Sequence, residues 1–202
     1  MNIRYTIVVA AVAFTGCGSS TEQSTPASTA APAANVTSSE VSGTVPPNAI
    51  VTLLPASGEP PMPADAALMD QISKQFIPSS LIVRVGQPVN FHNGEDMPHN
   101  VSVTRRISGS EVFNVSTERG QTYTHKFDRV GQYDVRCDIH EGMEATVIVA
   151  RGPMTLIAEN DGRFNMPNVP LGNYKLSLTF EGRTVEQALD VTGAKTSVSV
   201  KP

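Results

Sequence analysis

Only two cysteines, Cys17 and Cys137, and no tryptophan occur in the 202 residues. Cys17 falls in a segment that reads as targeting sequence, so no internal disulfide can staple a mature domain and Cys137 is left as a lone thiol. No apolar run is long enough to span a bilayer as a helix, since Ile7 to Phe14 falls far short of the roughly 20 residues required. Positive charge is scarce as well: the net charge is −4, and residues 65 to 150 carry 8 basic against 11 acidic side chains, which gives no basic patch for nucleic acid. There is no Gly-x-Ser-x-Gly and no phosphate-binding loop. Cys137 and His140 sit too close in sequence to supply the separated nucleophile, base and orienting group of a cysteine hydrolase. All four histidines lie between 92 and 140, too few for a second His-rich metal centre beside a first. These absences argue against an enzyme.

What is present is the run Cys137-Asp138-Ile139-His140-Glu141-Gly142-Met143, with His99 upstream in Met97-Pro98-His99-Asn100. Together they offer a thiolate, two imidazoles and a thioether. Soft sulfur donors favour cuprous ion and imidazole also serves cupric ion, so a trigonal Cys-His-His set with a weak axial Met suits both oxidation states. Singly, a Cys or Met is more often packing than chemistry. In this combination they predict a site for one type 1 copper ion with His99, Cys137, His140 and Met143 as ligands. Zinc is the competing metal, although structural zinc sites recruit further Cys or His rather than Met.

The chain resembles a cupredoxin of the amicyanin and plastocyanin group. The resemblance rests on Val-Asn-Phe-His-Asn at 89 to 93, on Met97-Pro98-His99-Asn100-Val101, on Val130-Gly131-Gln132-Tyr133-Asp134-Val135 and on Cys-x2-His-x2-Met. It spans roughly residues 70 to 150. The gap from His140 to Met143 is amicyanin-like, but Glu141-Gly142 stands where such loops carry Pro after the second His, which opens the question of loop rigidity. The resemblance implies that Asn100 ties the two ligand loops together from the second shell. It also implies that the edge of His140 is the electron exit, framed by Met97, Pro98 and Met143.

Export is expected from Arg4, the apolar stretch Ile7 to Phe14 and the sequence Phe14-Thr15-Gly16-Cys17. This resembles a bacterial lipoprotein signal, residues 1–17, with Cys17 as the lipidated residue and Gly18 after it resembling outer-membrane sorting. Residues 18–40, rich in Ser, Thr, Ala and Pro, bury almost nothing and read as a disordered tether of roughly 25 to 30 Å reach.

Beyond residue 40 the pattern is short alternating strands punctuated by Gly, Pro and Asn turns, which predicts an all-β fold. Its main unit would be a Greek-key β-sandwich over 61–151, the cupredoxin part. A second signature, Asn160-Asp161-Gly162-Arg163-Phe164 through Pro170-Leu171-Gly172-Asn173-Tyr174, resembles carboxypeptidase-regulatory-like, transthyretin-like sandwiches. Such domains open with strands like Val41–Val45 and Ala49–Leu53, so residues 41–60 and 152–202 are expected to form one smaller sandwich into which the cupredoxin is inserted. The alternative is a cupredoxin followed by an independent array of C-terminal hairpins.

Of the other histidines, His92 should point outward after inward Phe91, and His125 has a phase compatible with burial. Glu95, Asp96 and Glu141 suggest a mildly acidic rim able to steer a basic partner, or simply a solvated face. The leading expectation is a carrier of single electrons between a redox donor and acceptor, lipid-anchored in the cell envelope and binding no nucleic acid. The competing expectations are an envelope copper-storage lipoprotein and an adhesion or scaffold module in which the second sandwich is the working part.

Overall fold

The computed structural model describes residues 7–10 and 36–200, and all regular structure there is β-strand. Cys17, the rest of the expected signal segment and most of the tether lie outside the described residues. Of the apolar stretch, β1 (Ile7–Ala10) pairs antiparallel with β17 (Lys195–Val200). The strand expected to begin at Val41 starts earlier: β2 covers Ser38–Thr44, and the Ser39 hydroxyl lies 3.2 Å from that of Thr196. A side chain only 2 % exposed and pinned across the sheet does not belong to a tether.

One sandwich is built from two sheets. The first orders β10 (Thr122–Lys126), β7 (Pro88–Asn93), β4 (Ala67–Ile72) and β5 (Gln75–Ile77). The second orders β6 (Ser80–Arg84), β12 (Glu144–Ala150), β11 (Gly131–Arg136), β8 (His99–Arg105) and β9 (Ser110–Thr117). Alternation explains which face is buried. Val89 and Phe91 turn inward and are fully enclosed, whereas His92 between Phe91 and Asn93 turns outward and meets Asp70 at 2.9 Å. Tyr133, Val135 and Cys137 share one inward phase and pack in the same cluster as Phe76, Val101 and Met143. Enclosing a side chain such as Phe91 contributes about 1.5 to 3 kcal/mol.

A second pair of sheets lies outside this sandwich. One orders β1, β17, β2 and β14 (Arg163–Pro170); the other orders β13 (Met154–Ile157), β3 (Ile50–Pro55), β15 (Gly172–Phe180) and β16 (Arg183–Val191). β2 pairs antiparallel with β14 and parallel with β17, and β3 pairs with β13 and β15. Val41, Leu53, Phe164, Leu176 and Val198 share its core. The register admits no side chain at Gly43, where a Cβ would lie 1.7 Å from the Val198 carbonyl oxygen.

Between β3 and β4, and again between β12 and β13, the chain passes from one core to the other. The outer face of β12 meets β3 there through Ile148, Ala150 and Ile50, with Val130 and Ile157 beside them. Gln132 Nε2 donates to the Asn48 carbonyl at 2.9 Å. Arg84, 8 % exposed, reaches both crossings: Nη1 donates to the Pro60 and Pro61 carbonyls at 2.6 and 2.7 Å, and Nε to the Arg151 carbonyl at 3.3 Å.

Candidate metal centre

Two loops at one end of the larger sandwich make the site. His99 is the first residue of β8, and Cys137 follows directly on β11, the neighbouring strand, whose Arg136 pairs with Ser102. Strand register therefore sets the first imidazole against the thiol. The segment from 137 to 143 folds back on itself: the Cys137 amide donates to the Met143 carbonyl at 3.0 Å and the Met143 amide to the His140 carbonyl at 3.4 Å. Gly142 takes φ of 75°, the left-handed conformation that closes such a turn without a Cβ penalty. Backbone closure thus stands in for the absent Pro.

Three donor atoms converge. Cys137 Sγ lies 3.8 Å from His99 Nδ1 and 3.5 Å from His140 Nδ1, and the two Nδ1 atoms are 2.9 Å apart. A point equidistant from all three is about 2.0 Å from each, the length of a metal–imidazole bond. The donor set and its spacing fit one small soft-to-borderline cation. His99 and Cys137 are buried, His140 is partly exposed, and Met143 is enclosed at 1 % in the adjoining core. Partial desolvation, and then the neighbouring His99 and Lys74, push His140 below the ordinary imidazole value, keeping it in the neutral form that ligates.

The partners behind these donors include residues that sequence reasoning assigned otherwise. Glu95 was expected either on an acidic rim that steers a basic partner or on a solvated face without a role; its Oε2 accepts from His99 Nε2 at 2.7 Å and from the Lys74 amide at 3.1 Å. Burial works to raise its carboxyl, but the Lys74 amide and the His99 ring outweigh it and hold Glu95 below the usual carboxylate range. A carboxylate on Nε2 fixes the proton there and leaves Nδ1 free to ligate. Asp96 is paired with Arg119 at 2.5 Å, so Glu141 alone of the three expected acids is without an ion pair among the described residues.

Asn100 bridges the two loops: its Oδ1 accepts from the Asp138 amide at 2.6 Å and its Nδ2 donates to Asp138 Oδ2 at 2.9 Å. Asn114 on β9 donates to the same carboxylate oxygen at 2.9 Å, and Arg136 Nε approaches Oδ1 at 3.2 Å. Hydrogen bonding from Asn100, first, and then from Asn114 overcomes desolvation and depresses the Asp138 carboxyl. Neither Asn114 nor Asp138 carries a signal in sequence, because their meeting depends on the β8–β9 register. His92 and His125 stay away from the centre, the first on Asp70 and the second against Phe113 and Phe127 with ring centroids 4.7 Å away in each case.

Residues 65–150 match the family described as copper binding proteins, plastocyanin/azurin family. Amicyanin of Paracoccus versutus is 33 % identical over 89 residues, 44 % of this chain and 67 % of its own length. Plastocyanin of Ulva prolifera is 32 % identical over 89 residues, 40 % of this chain and 91 % of its own. Plastocyanin of Ginkgo biloba is 32 % identical over 83 residues, 37 % of this chain and 84 % of its own. The chain belongs to the plastocyanin/azurin family of copper-binding proteins. Copper is accordingly its cofactor, and the family consists of electron-transfer proteins rather than enzymes.

Proposed function

We propose that this protein is a type 1 copper protein that carries single electrons between a donor and an acceptor in the cell envelope. The observation that carries the reading is the convergence of Cys137 Sγ with His99 Nδ1 and His140 Nδ1 on a common point, backed by a Glu95 carboxylate that fixes the His99 tautomer. His99, Cys137 and His140 would hold the ion, with Met143 as axial ligand. Copper bound there supplies a one-electron couple. The chain's own contribution is to keep the donors from moving. Asn100 and the backbone bonds across 137 to 143 lock the ligand loop, and the buried flanks of Cys137 and Met143 exclude water. A donor set that needs no rearrangement suits both oxidation states, so little reorganisation accompanies transfer.

His140, partly exposed and next in sequence to Ile139, which is 59 % exposed, offers the edge through which electrons would leave. An apolar rim supports brief encounters because little charge is desolvated on contact. The sequence from Arg4 to Cys17 supports export and lipidation at Cys17, which would attach the molecule to a membrane, and residues 38–55 with 154–200 would constitute the transthyretin-like partner domain.

The test is optical. Full-length protein given one equivalent of cupric ion should develop an intense blue charge-transfer band that bleaches with ascorbate and returns on reoxidation. Cys137→Ser should abolish the band; an unchanged spectrum in that variant would sink the assignment.

A further inference from the structure

Where the two pairs of sheets meet, a cleft of about 530 Å³ is lined by four arginines, Arg84, Arg105, Arg129 and Arg151. Its charge balance is uneven. Arg151 is matched by Glu186 at 2.9 Å, and Arg129 approaches Asp128 at 4.0 Å. Arg84 and Arg105 have no carboxylate within ion-pair distance among the described residues. Arg84 is more than nine-tenths buried, and only carbonyl oxygens receive its Nε and Nη1. Arg105 Nη2 donates to the Val130 carbonyl at 3.3 Å, while its Nε is shut off from solvent with no hydrogen-bond partner among the described residues. A buried guanidinium normally has a counter-charge, and a buried donor normally has an acceptor. Both conditions fail at the same cleft.

We propose that this cleft binds a small organic oxyanion of sugar size. The Nε and Nη2 edge of a guanidinium is the fork that takes two oxygens of a carboxylate or phosphate side by side. A turn of the Arg105 guanidinium would present that edge to the cleft. The remaining lining suits the body of such a ligand: Val85, Val130 and Met62 supply apolar surface, and Thr179 and Thr184 supply hydroxyls. The volume falls within the range of small-molecule sites. Glu59, exposed on the rim without an ion pair among the described residues, opposes the anion. Thr179 and Thr184 come from β15 and β16 while Val85 and Val130 come from the copper-binding sandwich, so the ligand would touch both.

The experiment is a titration of full-length protein in the cuprous state, followed by amide NMR, with glucuronate and with inorganic phosphate as separate probes and chloride at equal ionic strength as control. Binding should shift the amides of Val130, Gly131, Gly182 and Thr184 and leave those of the ligand loop in place. Glucuronate acting at lower concentration assigns a carboxylate ligand, and phosphate doing so assigns a phosphorylated one. Arg105→Gln should weaken binding at least tenfold, whereas Glu59→Gln should tighten it. Arg84 is left unchanged because it also holds the two crossings. If neither probe moves these amides more than chloride does, or if the shifts persist undiminished in an Arg105→Gln protein with native amide dispersion, the proposal is overturned.

Discussion

Replacing Glu95 by Gln removes a charge while keeping an acceptor in place. The Glu95 carboxylate receives the His99 Nε2 proton at 2.7 Å, so it lies one imidazole width behind the donor triangle. Its separation from the centre of that triangle is roughly 6 to 7 Å, and at an effective dielectric near 20 one unit charge there interacts with a unit change at the centre by about 2.5 kcal/mol. For a one-electron couple that corresponds to about 110 mV. Because the Glu95 side chain keeps 17 % of its exposure, solvent screening reduces the expected effect to about 50 to 100 mV. The sign follows from the charge: a carboxylate stabilises the more positive, oxidised centre, so Glu95→Gln should raise the reduction potential with copper retained. Glu95→Ala removes the acceptor too, frees the His99 tautomer, and should weaken copper binding about 10- to 100-fold. Protein-film voltammetry and competition with a cuprous chelator measure the two quantities. A potential in Glu95→Gln that falls, or moves by less than about 20 mV, would refute the electrostatic argument.

Three further outcomes follow from the packing. Met143→Leu conserves volume in a position only 1 % exposed, so the fold should persist with a change in melting free energy below about 1.5 kcal/mol, while loss of the thioether raises the potential with copper retained, as voltammetry would show. His125 is held below the ordinary imidazole value chiefly by burial, so the unfolded chain takes up its proton before the folded one does. That group's contribution is therefore fully present above about pH 6.5 and is lost as pH falls toward the folded value, and His125→Phe should flatten the dependence of the urea midpoint below about pH 6.5. Gly43→Ala drives a methyl group into the Val198 carbonyl and should destabilise the smaller sandwich by about 3 kcal/mol or more, seen as a lower urea midpoint; a neutral result would mean that β2 and β17 are not paired as described.

The candidate donors were legible because their chemistry is concentrated: three of the four proposed stand in a seven-residue run, and the inward phase of Tyr133 and Val135 carries straight to Cys137. Asn100 was singled out through the family motif, and its side chain bonds to the backbone and side chain of Asp138. Glu95 was misread because a carboxylate four residues before a His has the same appearance in sequence whether it faces water or the ring; the β7–β8 loop decides between them. Asn114 and the cleft arginines were invisible for a different reason. Their neighbours come from distant parts of the chain, Arg84 meeting Pro60 and Arg151 for example, and no local periodicity encodes such meetings. The early start of β2 at Ser38 was missed because Ser, Ser and Glu have little strand propensity, and pairing with β14 and β17 overrides it.

The double crossing held by Arg84 changes what a cut in the chain would do. In a protein whose domains follow one another, one proteolytic nick in the connecting segment releases two separate pieces. Here β2 and β3, which precede the 56–66 crossing, are sewn into the same sheets as strands from beyond residue 153, and Arg84 grips the carbonyls of Pro60, Pro61 and Arg151 together. A protein nicked between 56 and 59 would remain one particle, still joined through 151–153. New termini placed there would leave both hydrophobic cores whole, making that crossing a natural opening for circular permutation.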